Sequence, residues 1–210
     1  LMLVVDVSGS ADFGSLVQRK RDTLTEIAAT LAFSALQNND KVGLLMFSDD
    51  VELFIAPKKG KSHVLRIIRE LLEHQPKSTK TDIAGALEFM SSILKKRAIV
   101  FVLSDCLDSD YSKSVQLAAR KHDLTGVRIY DPIEAKLPKA GLLFVRDAET
   151  AAHKWVNSSS KSVRTAYALA HRKTADYFST QFTRYGAGAL SCATDESYVK
   201  KLLTYFKGRG

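Results

Sequence analysis

Apolar runs of strand length alternate along this chain with segments whose apolar residues recur at helical spacing. Residues 1–7 are almost unbroken apolar residues, the pattern of a strand covered on both faces. Leu24, Ile27, Ala28, Leu31 and Ala35 share one helical face, which predicts an amphipathic helix over about 15–37. Residues 42–47 form the next apolar run, and Ser48-Asp49-Asp50 turns the chain into a short returning strand over 51–55. Ser62 is placed to cap a helix carrying Val64, Leu65, Ile68, Leu71 and Leu72. Thr81-Asp82 opens another helix, with Ile83, Leu87, Met90 and Leu94 on one face.

Residues 98–103 read as a strong strand, 112–121 as a short helix and 124–130 as a further strand. Residues 131–160 break the rhythm with Pro132, Pro138 and Gly141, although 142–145 have strand character. A long helix is then expected to about residue 184, capped by Ser160 or Ser162, followed by a strand over 187–192 and a helix over 197–206. Val163, Ala166, Tyr167, Ala170, Phe178 and Phe182 are expected to turn the long helix's stripe into the core. This alternation predicts an α/β fold: a doubly wound, mostly parallel sheet with one antiparallel edge strand and helices on both faces. A single domain over 1–210 is expected, with 131–160 an irregular insertion and 161–210 a C-terminal helix–strand–helix.

Composition narrows the picture only in part. The 210 residues are 45% hydrophobic and 26% charged, enough for a full core without covalent staples. Cys106 and Cys192 are the only cysteines, too few for a disulfide framework or a zinc motif, so a reducing cytoplasm is the simplest setting. No apolar run reaches the roughly 20 residues of a membrane span. Leu1 is already strand material, so sequence upstream is expected, and a membrane attachment through it stays open. The net charge of +8 comes from scattered lysines and arginines without interleaved aromatics, which reads as a solvated basic surface, with attraction to an acidic partner, a membrane surface or nucleic acid as the alternative.

The candidate chemistry lies where the first strand ends. In extended chain, residues i, i+2 and i+4 share a side, so Asp6, Ser8 and Ser10 present a carboxylate and two hydroxyls together. In an open α/β sheet that strand end is where ligands bind. All three groups offer oxygen, the donor of hard cations. Thr81, at a loop-to-helix junction, and Asp105, directly after the strand over 98–103, are the further donors such an ion needs. Turn formation and helix capping explain the same residue types without any ion. Thr79 is the rival to Thr81.

Asp-x-Ser-x-Ser after an apolar strand, a Thr before a helix and an Asp after a central strand resemble the metal-ion-dependent adhesion site of von Willebrand factor A domains. The resemblance implies a Rossmann-like fold of that class and a Mg²⁺ (or Mn²⁺) cofactor held by the hydroxyls of Ser8, Ser10 and Thr81. It implies that Asp6 and Asp105 act mainly through water or outer hydrogen bonds, and that one position stays open to a partner's carboxylate. Asp12, Lys80, Asp82 and Cys106 would form the rim. Lys80 stands where many relatives carry a small residue, and Ala11 where methionine is common.

Asp12-Phe13-Gly14-Ser15, Asp131-Pro132-Ile133-Glu134, Leu137-Pro138 and Ser160-Lys161-Ser162-Val163-Arg164 are similar to one bacterial branch of that superfamily. Its uncharacterised members are often encoded beside MoxR-type AAA+ ATPases. The branch implies a non-catalytic interaction module that works with such an ATPase in assembling or maturing protein complexes, without nucleic acid or a small-molecule cofactor.

An enzymatic alternative is Mg²⁺-dependent phosphoryl transfer with Asp6 as nucleophile and Lys80 as its cation. The hydroxyls two and four residues past Asp6 favour adhesion-type coordination instead. A basic-surface nucleic-acid module is a third alternative. His63, His74, His122, His153 and His171 fall away from the strand ends and read as ordinary surface residues. Cys106 beside Asp105 is either a reactive thiol or a half-buried structural one.

Overall fold

A computed structural model describes residues 1–12, 14, 18–108, 110–146 and 153–208. The sheet is built from β1 (Met2–Asp6), β2 (Val42–Phe47), β3 (Val51–Lys58), β4 (Ile99–Ser104), β5 (Asp123–Tyr130) and β8 (Gly188–Ala193), in the order β3-β2-β1-β4-β5-β8. Only β3 runs antiparallel to its neighbour; the other four pairings are parallel. This is the doubly wound α/β sheet that the alternating pattern predicts, with its antiparallel edge.

The central strands β1, β2 and β4 are apolar up to their carboxyl ends because both faces are covered. Leu3, Val5, Leu44, Met46, Phe101 and Leu103 face α1 (Lys20–Gln37), α2 (Lys61–Glu73) and α7 (Tyr198–Lys207). Met2, Val4, Leu45, Phe47, Val100 and Val102 face α3 (Ile83–Ile93), α4 (Ser112–Lys121) and α6 (Lys161–Arg184). Gly126 of β5 lets α6 lie close: a Cβ there would stand 2.6 Å from Phe182 and 2.7 Å from Phe178.

Several boundaries differ from expectation. The first long helix begins at Lys20, and residues 15–17 of the expected start lie outside the described residues. The second begins at Lys61 after Gly60, so Ser62 is inside it and caps nothing. The expected irregular insertion holds a short helix α5 (Pro132–Ala135) and an antiparallel ribbon of β6 (Leu142–Arg146) and β7 (His153–Asn157).

The long helix differs most. Phe178 and Phe182 are buried, whereas Ala166, Tyr167 and Ala170 are exposed and Val163 is half-buried. Twenty-four residues make a helix of about 36 Å, longer than the roughly 20–27 Å of a strand of six to eight residues. Its first half therefore overruns the sheet. Among the described residues no helix is long and apolar enough to cross a membrane.

Candidate functional site

The first strand ends on Asp6, and burial reaches the carboxylate itself, only 1% exposed. Each carboxylate oxygen is held: Oδ1 accepts from the Ser8 backbone N–H at 2.9 Å, and Oδ2 from the Ser104 hydroxyl at 2.5 Å. Ser8 and Ser10, both 1% exposed, lie with their hydroxyl oxygens 3.0 Å apart. The expected convergence of Asp6, Ser8 and Ser10 on one side of the loop is therefore observed.

The second loop is drawn in by backbone contacts. The Gly9 N–H donates to the Thr79 carbonyl at 3.2 Å, and the Asp82 N–H to the Ser48 carbonyl at 2.8 Å. Gly9 permits this approach: a Cβ there would stand 2.8 Å from Cβ of Thr79. Thr79 thus packs its methyl side against Gly9. Thr81 lies between the two anchoring contacts, and its Oγ1 is buried with no hydrogen-bond partner among the described residues. An unpaired buried hydroxyl is costly, so the site offers a donor oxygen that the folded protein itself does not use.

The third loop follows β4. Ser104 and Asp105 are buried at its end. Asp105 Oδ2 receives the Lys20 ammonium at 2.8 Å, and the same ammonium reaches Glu134 Oε1 at 2.7 Å. Lys20 is 1% exposed at the first position of α1. Sequence reading passed over this lysine. Its signal was weak but present, because a cation in a helix's first turn opposes the helix dipole and needs acids to hold it. Glu134 itself belongs to a capping box with Asp131 at the start of α5, so the site is tied to the insertion.

Burial, and then the charge of Asp105, push the Asp6 carboxyl up to about 7, against hydrogen bonds from Ser104 and Ser8 that favour its ionised form. Asp6, Ser8, Ser10 and Asp105 are thus buried oxygen donors on two adjacent loops, with the Asp105 charge met by Lys20 and the Thr81 loop fastened alongside. Among the described residues no cluster of three His, Cys, Asp or Glu side chains is suited to a metal. The donors here are mainly hydroxyls, a set that suits a hard cation retaining water.

The expected rim is revised. Cys106 is 1% exposed and packed beneath the site, at a backbone φ of 56°, so it is not a rim group. Burial, followed by the charge of Asp105, pushes its thiol far above the ordinary range. Asp82 is half-buried and spends its carboxylate capping α3, accepting from the Gly85 N–H at 2.8 Å. Lys80 is exposed. The side chain of Asp12 lies outside the described residues.

Among the described residues none of the five histidines is hydrogen-bonded to Ser8, Ser10 or Cys106. His63 bonds the Val42 carbonyl, His74 bonds Glu52, and His122, only 2% exposed, accepts from the Ala98 N–H. His122 is therefore a core residue rather than a surface one. A second buried cation was also missed: Arg128 sits beside Ser104 in the β4–β5 register, 1% exposed and 5.1 Å from the Tyr130 ring.

A parallel sheet in this order, with hydroxyl-bearing and acidic loops at one carboxyl edge, defines a von Willebrand factor A-like fold. Solved structures agree. The chain superposes on the conserved hypothetical protein BatB from Bacteroides thetaiotaomicron with a TM-score of 0.61 at 14% identity, covering 99% of this chain and 96% of that one. It also superposes on the SpRpn10 VWA domain with a TM-score of 0.51 at 11% identity, covering 96% and 92%.

Within that class, the chain belongs to the family described as "Protein of unknown function DUF58", which matches residues 1–177. The uncharacterized protein Rv1480 of Mycobacterium tuberculosis is 24% identical over 212 residues, 99% of this chain. This chain spans 66% of that relative's length.

Proposed function

We propose that this chain is a non-catalytic protein-binding module that captures an acidic group of a partner through a divalent cation. Ser8, Ser10 and Thr81 would hold the ion through their hydroxyls, while Asp6 and Asp105 would orient them and share the charge. The bound ion would supply a positive centre for a carboxylate, since neutral hydroxyl ligands leave most of its charge unspent. The observation that carries this reading is Thr81 Oγ1, a buried hydroxyl without a partner, in a loop fastened against the one bearing Ser8 and Ser10.

The chain's own groups argue against Asp6 as a phosphoryl acceptor. A nucleophilic carboxylate needs a free oxygen in reach of substrate. Both oxygens of Asp6 are engaged and the residue is buried. Lys80, the cation that the alternative requires, is exposed. The partner implied by the family resemblance is a MoxR-type AAA+ ATPase presenting an acidic side chain.

Calorimetric titration with Mg²⁺ and Mn²⁺ is the test. Wild-type protein is expected to bind one ion, and Ser8→Ala combined with Ser10→Ala to lose it while the far-UV circular dichroism is unchanged. Equal affinity in both proteins would refute the assignment. Phosphate release from generic phosphoesters, abolished by Asp6→Asn, would replace the binding module with an enzyme.

A further inference from the structure

We propose that the β6–β7 ribbon and the cationic groove at its base form a docking surface for an anionic lipid bilayer. The ribbon alternates as a one-sided strand pair should. Leu143, Val145 and Val156 turn inward and are half-buried. The opposite face carries Leu142, Phe144 and Trp155, exposed by 61%, 58% and 65%. Phe144 and Trp155 are direct cross-strand partners with ring centroids 4.9 Å apart, and His153 stacks on Phe144 at 5.0 Å. Monomeric surfaces rarely leave such an aromatic cluster in water without a use for it.

Charge identifies the occupant. Between Ala135 and Ala175 the sequence holds eight lysines and arginines against two acids, Asp147 and Glu149, which accounts for +6 of the chain's net +8. Of these cations Arg172 lies 3.8 Å from Asp176, and Arg164 bonds backbone carbonyls. Among the described residues Lys136, Lys139, Lys154 and Lys161 form no ion pair.

Lys136, Lys161 and Arg164 line a groove of about 280 Å³ with Leu137, Thr165 and Ala168. That groove adjoins the ribbon's foot: Arg164 donates to the Ser158 and Ser159 carbonyls, and the Ser158 hydroxyl donates to the Gly141 carbonyl. Exposed Trp and Phe beside unpaired lysines match the interfacial zone of a bilayer, where amphipathic rings sit at headgroup depth and cations meet phosphate. A protein partner would call for localised charge pairs around an apolar centre. The positive charge here is spread along a whole segment, eight cations to two acids, rather than gathered into pairs around one apolar centre. The surface proposed is the ribbon's exposed face; no described helix is long and apolar enough to cross a bilayer.

Trp155 is the chain's single tryptophan, so its fluorescence reports this ribbon alone. The intact chain is mixed with vesicles of phosphatidylcholine, or of an equimolar phosphatidylcholine–phosphatidylglycerol mixture. Emission is expected to move to shorter wavelength with the mixed vesicles only, and to return as salt is added. Lys136→Gln with Lys161→Gln, both exposed and harmless to the core, should lower vesicle partition about 25-fold, at roughly fivefold per cation. Phe144→Ser should weaken co-sedimentation without changing the melting temperature.

No shift with the mixed vesicles at low salt would overturn the proposal, as would an equal shift with neutral ones. A shift produced by polyglutamate and not by vesicles would also overturn it, in favour of an acidic protein. The ribbon's test is independent of the metal site and is run in EDTA.

Discussion

Lys20 Nζ stands 2.8 Å from Asp105 Oδ2, with the two side chains 1% and 0% exposed. Such a pair gains little over an apolar isostere, yet losing one member strands the other's charge in the core. Lys20→Met should therefore cost about 3–5 kcal/mol in urea unfolding. Lys20→Met with Asp105→Asn should recover most of that loss. A Lys20→Met protein within 1 kcal/mol of wild type, on the order of a surface pair, would mean that water reaches Asp105.

The same lysine sets the sign of a second expectation, which rests on the proposed cation site. Asp105 divides its charge between Lys20 and any ion beside it, and Glu134 draws Lys20 away at 2.7 Å. Glu134→Gln removes the acid that competes with Asp105 for Lys20 and should weaken Mn²⁺ binding. Lys20→Arg, which keeps the charge, should change affinity little, while Lys20→Met should strengthen it about tenfold or more. Opposite signs separate an electrostatic role from mere loosening, which would weaken binding in both charge-altering variants.

Thr81 offers a cleaner contrast. Its buried Oγ1 has no partner among the described residues. Replacing it by an isosteric methyl removes an unsatisfied group that costs about 1–3 kcal/mol. Thr81→Val should thus match or exceed wild-type stability without metal, while Mg²⁺-dependent stabilisation disappears. Thermal melts with and without Mg²⁺ measure both. A destabilised Thr81→Val in EDTA would show that the hydroxyl serves the fold.

The parts of this site differ in how far the linear chain reveals them. Asp6, Ser8 and Ser10 are four residues apart, and the apolar run before them announces a strand end, so local spacing suffices. The central strands were legible for the same reason: burial on both faces leaves an apolar run. Lys20 and Asp105 are 85 positions apart, and only the adjacency of β1 and β4, with α1 crossing above, joins them. Periodicity also misled over α6. A helical stripe shows which residues align, not how much sheet lies beneath, so Tyr167 read as core and is exposed. Cys106 failed differently: proximity to Asp105 in sequence suggested a rim, while the turn after β4 drives the thiol inward.

Glu52 ties the loop before Thr81 to β3. Its carboxylate accepts from His74 Nε2 at 2.7 Å and from the Lys77 N–H at 3.0 and 3.1 Å. Burial alone would raise its pKa, but hydrogen bonds from Ser48, His74 and Lys77 outweigh burial and hold it below the ordinary value of 4.5. An acid with a lowered folded pKa stabilises the fold above its unfolded pKa, and that stability is lost as pH falls through the folded value. Stability should thus hold from pH 7 to about 5 as far as Glu52 is concerned, then decline below about 4.5. Glu52→Gln should already lack about 1.5–3 kcal/mol at pH 7 and show a shallower acid decline. Equal acid slopes in both proteins would count against the assignment.

The two thiols give the last expectation, and it reverses the reactive role that the sequence allowed Cys106. A thiol reacts as its thiolate and must be reached by the reagent. Cys106 is 1% exposed, lies against Ile83, Val102 and Tyr111 in one core cluster, and has a thiol raised by burial and by the charge of Asp105. Cys192 is 0% exposed, and burial, then Glu196, push its thiol up to about 11. Neither condition for reaction is met at pH 8. Ellman's reagent should therefore find no fast-reacting thiol in the native protein and two in denaturant, with the native rate following global unfolding as urea is raised. Cys106→Ala should leave a native protein weakened by the lost packing and by any contact the sulfur made, while Cys106→Ser should fare worse by burying a hydroxyl. One thiol labelled rapidly without denaturant, and lost in Cys106→Ala, would place Cys106 at an accessible surface and overturn the buried geometry of the turn after β4.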